Sequence, residues 1–453
     1  MRPHAAFTLL ALALPAAQAQ DLLTTYEQAL QRDPTVHQAE YTRNAALESK
    51  PQSIAQLLPT LAVTANMNRN YVLSKTSSAT QASIAGSTTP VNTANSNGNI
   101  FVNFWSDGPT LTLSQPLYNH GLWVQLSQAD NVVAQAEATY EAAQQSLIVR
   151  AANAYYAILL AEDTLEFARM QMESIGRQLE QAKARFDVGL IAITDVDAAQ
   201  AAYDLAKATV IADENALEIS REAMRAIIGD FDGKVAGLAA DIPLKSPEPA
   251  DMEEWNRRAQ ENNLLIIAAQ NQAEQAKKGI ELQFAGHLPT LNLVGTAGFT
   301  DNNRPNGVRT EFEVISMQLN LPLFQGGMVN SRVRQAREQF QAAQENIDVQ
   351  RRATNLQVKT SFRGVNTSIS QVAAYKSAIA SAQSALDATL AGFEVGTRTM
   401  IDVLLVQSNL YQAKLNYAQA RYNYLNNSLS LKQAAGILMR EDVEMLNRWL
   451  SKN

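Results

Sequence analysis

Cysteine is absent from the 453-residue chain. That excludes a disulfide framework and a thiolate metal site. Histidine is nearly absent: His4, His37, His120 and His287 have no spacing that could close on an ion, so no metal and no cofactor is expected. There is no basic tract, and the formal net charge is −7. An acidic surface argues against phosphate binding and therefore against nucleic acid. No nucleophile motif or phosphate loop is present, so an enzyme is not expected. Long apolar runs are missing as well. Beyond residue 19 nothing approaches the roughly 20 apolar residues of a transmembrane helix; Leu264 to Ala269 is the best run and is far too short.

The start of the chain has what the rest lacks. Arg2, the apolar stretch Ala5 to Leu14 and Ala17-Gln18-Ala19 read as a secretory signal peptide over residues 1–19. The mature protein is expected to leave the cytoplasm. It is then either soluble in the periplasm or crosses a membrane by strands.

One element occurs twice. Phe186-Asp187-Val188-Gly189 is followed after five residues by Asp195-Val196, and Phe393-Glu394-Val395-Gly396 after five residues by Asp402-Val403. Such a long-range self-match marks an internal duplication. Apolar or small residues then recur at matching offsets: Val196, Ala199, Tyr203, Ala206, Val210 and Leu217, against Val403, Val406, Leu410, Ala413, Tyr417 and Tyr424. The three-then-four spacing is a coiled-coil seam. Pro116-Leu117 and Gly121 match Pro322-Leu323 and Gly327, and Leu58-Pro59-Thr60-Leu61 matches Leu288-Pro289-Thr290-Leu291. The first copy carries extra length in the Ser/Thr/Ala/Asn-rich stretch Ser74 to Asn99, whose composition reads as a solvated loop.

Within each copy the period switches. Leu22 to Leu57 reads as helix broken at Asp33-Pro34. From Thr60 the period is two: Leu61, Val63, Ala65, Met67 and Tyr71 share one face, and Thr64, Asn66, Asn68 and Asn70 the other. The same alternation recurs from Phe101, at Leu291 to Thr300 and at Ile315 to Leu321. These predict four strands, at about 60–71, 100–115, 290–300 and 309–321, apolar on one face and polar on the other. Tyr71, Phe101, Phe104, Trp105, Phe299 and Phe312 gather near their loop-side ends, as in an aromatic girdle. Two hairpins on a soluble core are the competing reading of the same pattern. Four strands cannot close a membrane barrel, because open edges would leave unpaired backbone groups in lipid, whereas three copies would give twelve.

The remainder reads as helix. Leu122 to about Val188 and Met328 to about Val395 are proline-free, and some 65 residues at about 1.5 Å each span about 100 Å. Shorter returning helices follow at 195–228 and 402–437. The predicted organisation is a repeat over 20–228, a linker over 229–250 rich in glycine and proline, a second repeat over 251–437, and a short tail over 438–453.

These landmarks resemble the TolC family of outer-membrane exit ducts over nearly the whole mature chain. The most specific stretches are Val188-Gly189-Leu190-Ile191-Ala192-Ile193-Thr194-Asp195-Val196, Val395-Gly396-Thr397-Arg398-Thr399, Gln325-Gly326-Gly327-Met328-Val329-Asn330-Ser331 and Ala420-Arg421-Tyr422-Asn423-Tyr424-Leu425. The resemblance implies an α+β membrane protein and a homotrimer. Its twelve-stranded β-barrel lies in outer-membrane lipid and continues as a long α-helical barrel across the periplasm, with the linker at the equator. It implies multidrug efflux and type I protein secretion, with a periplasmic adaptor (membrane fusion) protein and an inner-membrane efflux pump or ABC transporter as partners. A soluble periplasmic coiled-coil scaffold is the alternative; it leaves the four alternating strands unexplained.

Gly189 and Gly396 stand where a long helix must reverse, a place for positive φ. Asp195 and Asp402 open the returning helices and suit N-terminal capping or dipole compensation, and Thr399 with Asp402 resembles a capping box. The resemblance implies further roles. Arg398 would bond to Thr194 and Asp195 of a neighbouring hairpin and hold the periplasmic aperture shut. A second family latch, from an aromatic hydroxyl to Asp195, is lost because Phe393 stands there. Asp402 would form an acidic ring with its symmetry mates, whose carboxylates would bind cations or titrate at raised pH. A second acidic ring is replaced by Leu405. The tip residues Leu190, Ile191, Ile193 and Thr397 are candidates for adaptor docking, and apolar packing within the closed bundle is the other reading of the first tip.

Overall fold

The computed structural model describes residues 20–75, 99–231, 233–303 and 307–450. The signal-peptide residues 1–19 and nearly all of the Ser74 to Asn99 stretch lie outside them. Among the described residues there are ten α-helices, one short 3-10 turn and one four-stranded sheet. No described helix is long and apolar enough to cross a membrane.

The chain divides into two compact units. One holds residues up to 43, 136–269 and 346 onward; the other holds 44–135 and 270–345. The second contains the sheet: β1 Thr60–Lys75, β2 Asn99–Asn119, β3 Thr290–Asn302 and β4 Thr310–Asn320. All neighbours are antiparallel in the order β1-β2-β3-β4, so the two copies contribute one hairpin each and meet at β2–β3. β2 runs past the expected end at residue 115 because a register shift between Pro116 and Tyr118 carries the ladder to Asn119 opposite Thr290. A bulge of that kind accommodates a proline that cannot donate to the ladder.

The alternation has a physical outcome. Leu61, Val63, Met67 and Tyr71 of β1, and Ile315, Met317 and Leu319 of β4, are all exposed, with Ile315 at 83 %. A water-soluble sheet would bury these side chains, since each is worth about 1.5–3 kcal/mol when removed from water. Toward the loop-side ends, Tyr71 and Phe101 pair at 6.5 Å, Arg69 lies 5.8 Å over Trp105 and Arg309 lies 3.8 Å over Phe299.

The rest is helical. The first copy has α1 Leu22–Arg32, α2 Pro34–Leu47, α3 Ser49–Ala55, the 68-residue α4 His120–Asp187 and α5 Ile193–Ile228. The second has α6 Met252–Asn262, α7 Leu264–Phe284, the 67-residue α8 Met328–Glu394 and α9 Met400–Ala434, followed by α10 Arg440–Asn447. α5 buries Val196, Ala199, Ala206, Val210 and Leu217, five of the six seam residues, and α9 buries Val403, Leu410 and Tyr424 of its matching set.

The main core lies in the first unit. It gathers Leu22, Tyr26 and Ala29 of α1, Leu147 to Ala168 of α4, Leu217 to Ile228 of α5, Tyr422 to Leu429 of α9 and the tail residues Leu438, Val443, Leu446 and Leu450. The segment after α5 is not helical. It reaches Gln20 through a parallel bridge at Val235 and Leu450 through an antiparallel bridge at Leu238. The Tyr155 hydroxyl donates to the carbonyl of Ala236 at 2.7 Å. At the α1–α2 break, Asp33 accepts from the Val36 amide at 2.9 Å and from both Nη atoms of Arg150 at 2.9 and 3.0 Å. Burial pushes the Asp33 carboxyl up, but the Arg150 bonds and the amide outweigh it and leave it below its ordinary value.

Candidate functional site: the two hairpin turns

α4 and α8 end in the same backbone motif. Gly189 has φ +76° and Gly396 φ +80°. In the first turn the Gly189 amide donates to Phe186 O at 2.8 Å and the Leu190 amide to Arg185 O at 2.9 Å. In the second the Gly396 amide donates to Phe393 O at 3.2 Å and the Thr397 amide to Gly392 O at 2.8 Å. Both are Schellman caps, which satisfy carbonyls left over at a helix end and need a left-handed residue at their centre. The glycines therefore fulfil a backbone requirement.

The side chains differ. Gly392 O also accepts from the Thr397 hydroxyl at 3.0 Å and from the Arg398 amide at 3.2 Å. Gly392 has no side chain, and a Cβ there would come within 2.8 Å of Arg398 Cγ. The Arg398 stem therefore crosses the end of its own helix over this glycine. Among the described residues, no hydrogen bond or ion pair joins Arg398 to Thr194 or Asp195 within the chain. Thr194 is exposed and Asp195 partly buried.

The returning helices start differently too. α9 begins with a full capping box: the Thr399 hydroxyl receives the Asp402 amide at 3.2 Å, and the Asp402 carboxylate receives the Thr399 amide and hydroxyl, both at 2.9 Å. These bonds, the backbone one first, hold the Asp402 carboxyl below its ordinary value, with the Arg398 charge adding to them. Inside one chain the direction is thus opposite to the raised titration expected of an acidic ring. α5 has no such cap. Its N-cap is Ala192, without a side-chain bond, and Asp195 sits in the first turn. A capping role for Asp195 is therefore corrected: it holds the same third helical position as Asp402, but Ala192 stands where Thr399 does and has no side-chain hydroxyl to complete a capping box. Compensation of the helix dipole remains.

Behind the turns lies a small apolar cluster of Leu179, Ala182, Val196, Ala199, Leu386, Phe393, Met400, Val403 and Leu410. Ile191 packs against it, whereas Leu190 and Ile193 are exposed. The apolar tip thus divides between bundle packing and an open surface. Thr397 uses its hydroxyl within its own turn. Leu405, where the second acidic ring would stand, is exposed on α9. One contact lies outside every expected role: Arg185 Nη1 donates to Phe393 O at 3.3 Å, and its guanidinium lies 4.9 Å from the Phe393 ring centroid. The described residues hold no cluster of metal-ligating side chains.

A four-stranded sheet with one apolar and uncovered face, two very long helices and paired reversing turns together suit a subunit of an outer-membrane channel. Comparison with known proteins agrees. The family model for outer membrane efflux proteins matches residues 25–230 and 255–437. The chain is 37 % identical to outer membrane protein TolC of Vibrio cholerae serotype O1, over 96 % of this chain and 95 % of that one. It is 34 % identical to outer membrane protein TolC of Escherichia coli strain K12, over 96 % and 86 %. Its fold matches the crystal structure of the Campylobacter jejuni CmeC outer membrane channel with a TM-score of 0.77 at 15 % identity, covering 100 % of this chain and 98 % of that one. The chain belongs to the outer membrane efflux protein family and is an efflux channel of the outer membrane.

Proposed function

We propose that three copies of this chain close a twelve-stranded barrel and form an exit duct gated at its periplasmic end by the paired turns. Drugs and type I secretion substrates are the cargo. A periplasmic adaptor and an inner-membrane efflux pump or ABC transporter are the partners, with Leu190 and Ile193 offering the adaptor an apolar surface. Asp402 of the three copies forms the acidic ring at the aperture.

The observation that carries this reading is the inequality of two turns with one backbone. The first presents Thr194 and Asp195 as free acceptors. The second lays the Arg398 stem over Gly392 and holds Asp402 in a capping box. Donor and acceptors unpaired within a chain are suited to pair between hairpins of neighbouring chains. The test is the conductance of the purified protein in a planar bilayer. Arg398→Ser is expected to raise it, and an unchanged conductance would remove Arg398 from the latch.

A further inference from the structure

The two turns match residue by residue, so the duplication supplies an internal control. Phe186 and Phe393 occupy the same place in the Schellman cap, next to the last residue of α4 and of α8 respectively. Yet Phe186 is 39 % exposed and Phe393 only 6 %. The position before each explains part of the difference: Arg185 in the first copy, Gly392 in the second. Arg185 reaches across to the second turn and lies over Phe393. Gly392 has no side chain with which to cover Phe186. The coupling therefore runs in one direction only.

We propose that Arg185 is a positioning residue that joins the two turns of one chain and holds the periplasmic end closed, in a protein whose Phe393 offers no hydroxyl for a latch. This rests on the gate reading above. Three interactions converge on one cation. The guanidinium lies on the ring face, 4.9 Å from its centroid, where the quadrupole attracts positive charge. Its Nη1 donates at 3.3 Å to Phe393 O, one of the leftover carbonyls at the end of α8. That carbonyl also stands at the negative end of the helix dipole.

The geometry links the two caps in series. Arg185 gives its own carbonyl to the Leu190 amide and so helps close the first turn. Phe393 gives its carbonyl to the Gly396 amide and so helps close the second. Moving one hairpin away from the other breaks the ring contact and the bond together, and it uncovers an otherwise buried aromatic ring. Neither side chain is needed for either cap, because both caps are made by backbone atoms.

The experiment compares Arg185→Ala, Arg185→Lys, Phe393→Leu, the double variant and Arg398→Ser in planar bilayers, each checked for wild-type helix content and thermal midpoint. Arg185→Ala should raise the open fraction about two- to fivefold, the equilibrium change that a cation–π contact at a partly exposed site is worth. Arg185→Lys should fall between it and wild type. Phe393→Leu should raise the open fraction too, and Arg185→Ala should add less in that background than alone. If Arg398→Ser opens the channel while Arg185→Ala and Phe393→Leu behave as wild type, the positioning role is refuted and the gate reading stands. If none of them opens it, the gate reading fails as well. Should Arg185→Ala not assemble, Arg185→Lys and Phe393→Leu decide alone, and wild-type gating in both overturns the proposal.

Discussion

Asp402, proposed above for the aperture ring, already serves a helix. Its carboxylate completes the capping box with Thr399, and its folded-state pKa lies below the ordinary 3.8. A depressed carboxylate contributes stability that is fully present above its unfolded value and is lost as pH falls through the folded one. The α9 cap should therefore hold at every pH above about 4 and loosen only below the ordinary aspartate range. The same bonds keep Asp402 charged, so on the proposed ring reading cation block should persist into mildly acidic solution. Repulsion among three copies would have to exceed the capping bonds before the ring titrated higher. Multivalent cations added on the periplasmic side of a bilayer-held channel should block it. Asp402→Ala should abolish that block and Asp402→Asn should do nearly as much; block that survives both would take Asp402 out of the ring. Arg398 and Asp402 belong to one turn, so their substitutions are expected to couple rather than add.

At the scale of elements, the break between α1 and α2 depends on a buried charge. Asp33 is 1 % exposed and held by Arg150 and the Val36 amide. Arg150→Ala leaves that carboxylate without its cation and should cost roughly 1.5–3 kcal/mol, the worth of a hydrogen bond to a charged group. The thermal midpoint by circular dichroism should fall, and Arg150→Lys should recover part of it. Since Asp33 is also depressed, the pair's contribution is lost on acidification below about pH 4, by the same sign argument. Much of this architecture was legible beforehand. Alternation at Leu61 to Tyr71 and at Ile315 to Leu321 declares a two-faced strand, and the three-four spacing from Val196 declares the seam that α5 buries. The Thr399–Asp402 box is a four-residue local motif and was readable as such. Asp195 misled, because it matches Asp402 in position while Ala192 replaces Thr399 at the N-cap and leaves the box without its hydroxyl. The Arg185–Phe393 contact joins residues some 208 apart and has no local signature. A signal existed nonetheless: aligning the copies sets Arg185 against Gly392, the kind of difference that marks unequal roles in a duplicated turn.

For the molecule as a whole, the outer edges of β1 and β4 have no partner strand among the described residues of one chain. Unpaired edges are not tolerated in lipid, which is the physical ground for the proposed closure by further copies. The detergent-extracted particle should have the mass of three chains and give a heat-resistant trimer band on denaturing gels. A stable monomer of native helix content would end the closure argument and revive the soluble scaffold. The two ends of the described chain carry a different consequence, one of timing. Gln20 and Leu450 both bridge to the stretch around Val235 to Leu238, with Tyr155 bonded between. The stretch after α5 is thus completed by residues far apart in sequence on either side of it, Gln20 and Leu450. During export the early repeat can form its helices but cannot seal its core until α10 has arrived. The chain should therefore remain sensitive to proteases, and available to chaperones, until α10 has been exported.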